Sequence, residues 1–236
     1  MLVQEPWWSG RTKSHPFFDR HIPFVLENAR PRAVTYTRKD STKLNATQLF
    51  PSSQPTGDYC WVTVNGITFL NVYKAPHNSL AVQPLLSWTP PSQSVAIGDF
   101  NSVYWAWQPS ATASYGQGEE ISKWAEDHNM ICLIVGEPTH RAGNTLDLAW
   151  TNISGTSAWV EREECMTSDH LPICGTVPCQ TPSPSNTQGQ IRVPRDKLSH
   201  FAHVVTQWLP PVLAPQSVEE TENLAQDLCR VMKEAA

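Results

Sequence analysis

Apolar positions along this chain recur mostly with a period of two, and in three places with a period of three to four. Asp58 to Val64 and Ile67 to Tyr73 are β-rich runs joined by Asn65-Gly66, a dipeptide suited to a two-residue hairpin turn. Ser94 to Gly98 is a compact apolar run, predicted as a strand that leads into Asp99-Phe100-Asn101. Leu2-Val3-Gln4-Glu5 reads as the end of a short strand stopped by Pro6. Further strands are predicted over Arg32 to Thr37, Leu44 to Phe50, Met130 to Val135, Thr145 to Trp150, Ser157 to Val160 and Leu171 to Val177. Residues 6–32, 74–94 and 102–118 read as loop, with one helical turn near Leu80 to Trp88. Ile121, Trp124 and Ala125 share one face of a helix predicted over Gly118 to Asn129. Leu198, Phe201, Val204, Val205 and Trp208 do the same for Asp196 to Trp208. Leu224, Leu228 and Val231 stripe a last helix, which Ser217 caps with Glu220 three residues on. Many strands with few helices predict a layered α/β domain with mixed or antiparallel sheets.

Composition divides this pattern. Cys179 to Gln190 is Thr, Pro, Ser, Gln and Gly, so residues 1–178 read as the sheet-bearing domain, 179–192 as linker and 193–236 as a helical region. With 236 residues, 40% of them hydrophobic, the chain can bury a core. It contains no apolar run long enough for a membrane span, and its start lacks the basic and apolar regions of a secretory signal. The 6 cysteines form no CxxC pair, which points to reduced thiols in an intracellular protein and away from zinc.

The formal charge of −5 excludes a globally basic nucleic-acid clamp. Residues 1–43 nevertheless carry Arg11, Lys13, Arg20, Arg30, Arg32, Arg38, Lys39 and Lys43 against four carboxylates. The centre is acidic, with Glu119, Glu120, Glu126, Asp127, Glu161, Glu163 and Glu164. Such asymmetry can steer a polyanion onto one face.

Polar chemistry sits where apolar runs end. Glu5 follows Leu2-Val3, Asp99 and Asn101 follow Val95-Ala96-Ile97, Asp147 interrupts Thr145 to Trp150, and Asp169-His170 precede Leu171-Pro172-Ile173. Several carboxylates and one histidine, without usable Cys spacing, suggest a hard oxygen-ligated cation such as Mg²⁺ or Mn²⁺. Each residue taken singly is more readily a turn or cap residue; the weight lies in the whole set.

Taken in order, five segments resemble the motifs of the endonuclease/exonuclease/phosphatase superfamily. They are Gln4-Glu5-Pro6-Trp7, Asn71-Val72-Tyr73 with Pro76, Gly98-Asp99-Phe100-Asn101, Asn144 to Leu148, and Ser168-Asp169-His170-Leu171-Pro172-Ile173. Pro138-Thr139-His140-Arg141 leading into Gly143 to Asn152 narrows the resemblance to the apurinic-endonuclease-like domain of LINE-type (non-LTR) retrotransposons, particularly fungal ones. The resemblance implies a four-layer α/β/β/α sandwich of the deoxyribonuclease-I-like type, with residues 193–236 leading towards a reverse transcriptase. It also implies that the family's first strand, which carries an asparagine on the metal side, belongs before residue 1.

Roles follow by the same resemblance. Glu5 and Asp169 would hold the metal, and Asp99 would activate the attacking water. Asn101 would hold a phosphate oxygen, with Tyr73 and Thr139 beside the phosphate. His170 would contact the scissile phosphate, oriented by Asp147. Arg11, Lys13, His140, Arg141, Tyr104 and Trp105 are the candidate contacts to double-stranded DNA, and Arg20, Arg30 and Arg32 are further phosphate candidates. Trp7 and Trp8 read as core or lid. The activity implied is Mg²⁺-dependent cleavage of a DNA phosphodiester, carried out in the nucleus. A truncated, inactive relic that binds nucleic acid or protein is an alternative, as is a phosphatase of the same superfamily.

Overall fold

The structure is a computed structural model that describes residues 1–8, 15–23, 25, 29–39, 44–50, 56–163, 168–178, 193, 197–209 and 217–235. The chain divides into two compact units, Met1–Thr181 and Pro182–Ala236. The first contains β1 (Leu2–Gln4), β2 (Phe18–His21), β3 (Ala33–Arg38), β4 (Ala46–Leu49), β5 (Tyr59–Val64) and β6 (Ile67–Tyr73). A 3₁₀ turn (Ser79–Val82) and α1 (Gln83–Leu86) follow, then β7 (Ser94–Asp99), α2 (Gly118–Asp127), β8 (Ile131–Cys132), β9 (Asp147–Thr151), β10 (Ser157–Val160) and β11 (Ile173–Thr176). The second unit holds α3 (Leu198–Trp208) and α4 (Val218–Ala235), which pack on each other. Ser217 Oγ accepts the Glu220 N–H at 3.1 Å, as the capping pattern predicts.

Six strands form the central sheet in the order β4-β5-β6-β7-β9-β8. The β5–β6 hairpin turns at Asn65-Gly66, both with positive φ, which is why this dipeptide carried so clear a signal. Among the described residues only β6 and β7 pair in parallel, so the chain between them must cross over. It does so through the 3₁₀ turn and α1. Val82, Leu85, Ile121 and Trp124 bury one face of the sheet, against Leu70, Val72, Ala96, Leu148 and Trp150. Both described α-helices of this unit lie on that face.

Two smaller sheets, β1-β3-β2 and β10-β11, form a second β layer on the other face. Ala33 packs with Cys60, Val62 and Tyr73, while Ala158, Val160 and Ile173 pack with Ile97 and Ala149. Among the described residues the two small sheets do not pair with each other, and Ile97 in the middle of β7 is only half-buried. Between the layers lies Asn71, fully buried and fully engaged. Its Nδ2 donates to Val34 O at 3.0 Å and Val3 O at 3.3 Å, and its Oδ1 accepts from Gln4 Nε2 at 2.6 Å. A buried amide without such partners would cost about 1–3 kcal/mol.

Two sequence expectations are corrected. Residues 6–32 are not all loop, because Phe18–His21 forms β2 against the end of β3. Asp19 and Arg20 hide the strand, whose pairing comes from its partner rather than from local alternation. The strand expected over Met130 to Val135 shrinks to Ile131–Cys132, since β8 is an edge whose ladder with β9 ends after Cys132↔Trp150. Four cysteines, Cys60, Cys132, Cys174 and Cys229, are free thiols; Cys165 and Cys179 lie outside the described residues.

Candidate active site

Strand register assembles the site. Tyr73 ends β6, Asp99 ends β7 and Asp147 begins β9, and pairing aligns them as Tyr73↔Asp99↔Asp147 across three neighbouring strands. Gly98 makes this possible. It has φ +147°, and a Cβ there would lie 2.0 Å from Val72 O, so any side chain would push β6 and β7 apart beside Asp99.

Asp99 and Asp147 are both buried. Asp99 Oδ1 accepts the Asn101 backbone N–H at 2.9 Å and Oδ2 accepts Asn101 Nδ2 at 2.6 Å. Asn101 holds this clasp from a left-handed backbone with φ 43°, a conformation asparagine tolerates better than most residues. Burial, and then the neighbouring Asp147, push the Asp99 carboxyl up to about 7. Asp147 Oδ2 lies 2.7 Å from His170 Nδ1. A carboxylate only accepts, so Nδ1 carries the proton and Nε2 is the outward nitrogen. That bond raises His170 to about 9 against the opposing effect of burial, so the ring is cationic at neutral pH.

A second pair adjoins this one. His140 and His170 are joined by an isolated β-bridge, and their rings meet edge-on with centroids 4.9 Å apart. His140 Nε2 lies 3.1 Å from Asp169 Oδ2, and His140 Nδ1 accepts the Ala142 N–H at 3.0 Å. A nitrogen that accepts from a backbone N–H has no proton of its own, so His140 carries its proton on Nε2 and donates it to Asp169. His140, Asp169 and His170 have the spacing of a metal-binding trio. This tautomer argues against such a site, because His140 Nε2 offers a proton rather than a lone pair.

Thr139 is fully buried, and its Oγ1 accepts the N–H groups of Leu146 and Asp147, each at 2.9 Å. It therefore positions the strand start that carries Asp147. Asn101 likewise uses Nδ2 on Asp99 and on Lys74 O, at 3.1 Å, which ties the two motif ends together. Tyr73 donates its hydroxyl to Glu5; burial and that carboxylate raise the phenol to about 12, so it remains a donor. Glu5 itself is exposed, with φ 44°.

Other expected site residues divide. Arg11 and Lys13 lie outside the described residues. Arg141 gives its backbone N–H to Asp169 O at 2.9 Å, which closes the loop around His170. Trp105 is exposed, whereas Tyr104 packs towards the core beside fully buried Trp107. Trp7 is 83% exposed and is not a core residue. Arg32 is not a free phosphate contact. It forms a two-point pair with Asp58 at 2.7 and 2.6 Å and sits 4.7 Å above the Tyr73 ring. Asp169 joins His140 rather than a donor cluster with Glu5 among the described residues.

Three features had no sequence signal: the His140–Asp169 bond, the Arg32–Asp58 bridge behind Tyr73, and Lys74. The Lys74 side chain is fully buried beside the site, and its N–H donates to Asp99 O at 2.8 Å. Their partners are 25 to 29 positions apart in the chain, so only the fold reveals them.

Residues 67–174 match the family model described as endonuclease-reverse transcriptase. The structure is similar to the endonuclease domain of TRAS1, a telomere-specific non-LTR retrotransposon, with a TM-score of 0.56 and 16% identity over 76% of this chain and 85% of that one. No curated protein matches the sequence. The structural likeness shows the deoxyribonuclease-I-like α/β fold, and the two findings together support the endonuclease/exonuclease/phosphatase superfamily.

Proposed function

We propose that this chain is a divalent-metal-dependent DNA endonuclease that hydrolyses a phosphodiester of double-stranded DNA, the target-nicking domain of a LINE-type retroelement acting in the nucleus. The observation that carries this reading is the aligned row Tyr73–Asp99–Asp147, with His170 held on Asp147.

Phosphodiester hydrolysis needs an acceptor for the proton of the attacking water and donors for the charge on the phosphate oxygens. Asp99, raised to about 7, is matched to the first task. Cationic His170 offers Nε2–H to a phosphate oxygen or to the departing oxygen, while Asp147 keeps the ring from turning. Tyr73, whose hydroxyl donates to Glu5, would orient that carboxylate beside the phosphate. The donor chemistry fits Mg²⁺ or Mn²⁺. Glu5 presents a solvent-facing hard oxygen and would hold the ion, and Mg²⁺ commonly keeps several waters around one or two carboxylates. When bound, the cation would neutralise charge on the phosphate.

The test is nicking of supercoiled plasmid with Mg²⁺ and with chelator, in the wild-type chain and in Asp99→Ala combined with His170→Ala. Metal-dependent nicking that the double substitution abolishes supports the assignment. Nicking that survives it overturns these roles, and a wild-type chain that does not nick makes this domain an inactive relic.

A further inference from the structure

His140 stands in the candidate site without a role in the chemistry above. Three independent contacts converge on it. Its ring meets the edge or face of the His170 ring at 4.9 Å, at an angle of 83°. Its Nε2–H reaches Asp169, the residue immediately before His170. Its Nδ1 is fixed by the Ala142 N–H, so the ring cannot flip without losing that bond. The backbone reinforces the arrangement, with Arg141 N–H on Asp169 O at 2.9 Å and Leu171 N–H on Thr139 O at 2.7 Å.

We propose that His140 is a positioning residue for His170. Asp147 holds His170 at one atom, Nδ1, and a single hydrogen bond leaves the ring free to rock about it. The His140 ring limits that rocking from the side, and the His140–Asp169 bond fixes the backbone on which His170 is mounted. The outward Nε2 of His170 is thereby aimed. This inference rests on the nuclease reading, because aiming matters only if Nε2 meets a phosphate. It moves His140 from the DNA-contact group, where the sequence placed it, to the support of the reacting histidine. A small displacement of a reacting group lowers the chemical step without weakening substrate binding.

The test measures kcat and KM for plasmid nicking by the full chain. His140→Ala should lower kcat about tenfold or more with KM within about twofold, and His140→Gln, which can still donate to Asp169, should recover most of the loss. His140→Ala combined with Asp169→Asn should be no worse than the more damaging single change, because the two act as one unit. A raised KM with kcat unchanged would make His140 a DNA contact and overturn the proposal, as would additive losses in the double variant. A readout independent of nicking is exchange of the His170 Nδ1 proton with water, followed by NMR. It should be slow in the wild type and faster in His140→Ala; equal rates overturn the positioning role. If the wild type does not nick but exchange still responds to His140→Ala, the nuclease reading fails while the support of His170 by His140 stands.

Discussion

Asp147–His170 and Asp169–His140 use the same two residue types and lie with their rings 4.9 Å apart, yet they have opposite surroundings. The Asp147 side chain is 11% exposed and starts a strand in the central sheet, whereas that of Asp169 is 69% exposed on a loop. The first pair makes a 2.7 Å bond that carries His170 well above its ordinary value. The second makes a 3.1 Å bond whose proton is placed by a backbone N–H, and it lowers Asp169 while leaving that carboxylate in water. The buried carboxylate of the first pair thus shifts its histidine strongly, while the carboxylate of the second stays exposed to water. Asp169 and His170 are chain neighbours but bond to different partners, Asp169 to His140 and His170 to Asp147.

The largest expected effect comes from breaking the buried pair. Asp147→Asn keeps the shape but removes the acceptor charge, and single-turnover nicking should fall about a thousandfold. An NMR titration of His170 in that variant should move its pKa from about 9 back towards its ordinary 6.5. A smaller effect, but one specific to the buried cluster, is the pH profile. Nicking should rise as Asp99 ionises near 7 and fall as His170 loses its proton near 9, giving a bell. Both folded-state values are raised, so the native state binds more protons than the unfolded chain. The His170 contribution to stability is full below about 6.5 and is lost as pH rises through about 9; that of Asp99 declines as pH rises from about 4 through about 7. Urea midpoints measured across that range should therefore fall towards high pH, and a rise would contradict the buried pair.

Thr139→Val tests the scaffold that the two pairs share. It leaves the N–H groups of Leu146 and Asp147 without their acceptor, which should cost about 2–4 kcal/mol in urea unfolding. At the small end, Asp169→Asn should leave the urea midpoint indistinguishable from wild type, since an exposed pair contributes little to stability. A large drop there would show the outer pair to be structural after all.

Much of this arrangement was legible before any coordinates. The Asn65-Gly66 hairpin, the strand into Asp99 and the helix over Gly118–Asp127 are local, and each carries its own turn residue or periodicity. The pairing of Asp147 with His170 followed from family resemblance, and the geometry agrees with it. Strand β2 was not legible, because Phe18–His21 has no alternation and exists only through β3. Nor were the contacts of His140, Asn101 and Thr139, each of which depends on hydrogen-bond capacity already taken by the backbone. A motif names the residue types at a site; it does not say which of their donors and acceptors are still available.

Asn71 has a consequence of the same kind for assembly. Apolar faces alone would let one β layer slide over the other at little cost, since one aliphatic contact substitutes for another. Asn71 removes that freedom, because its amide is satisfied only where Val3 O, Val34 O and Gln4 Nε2 meet it together. The side chain works as an index mark that makes docking of the layers all-or-none. Asn71→Leu would keep the buried volume and erase the mark, leaving a sandwich with several alignments in place of one.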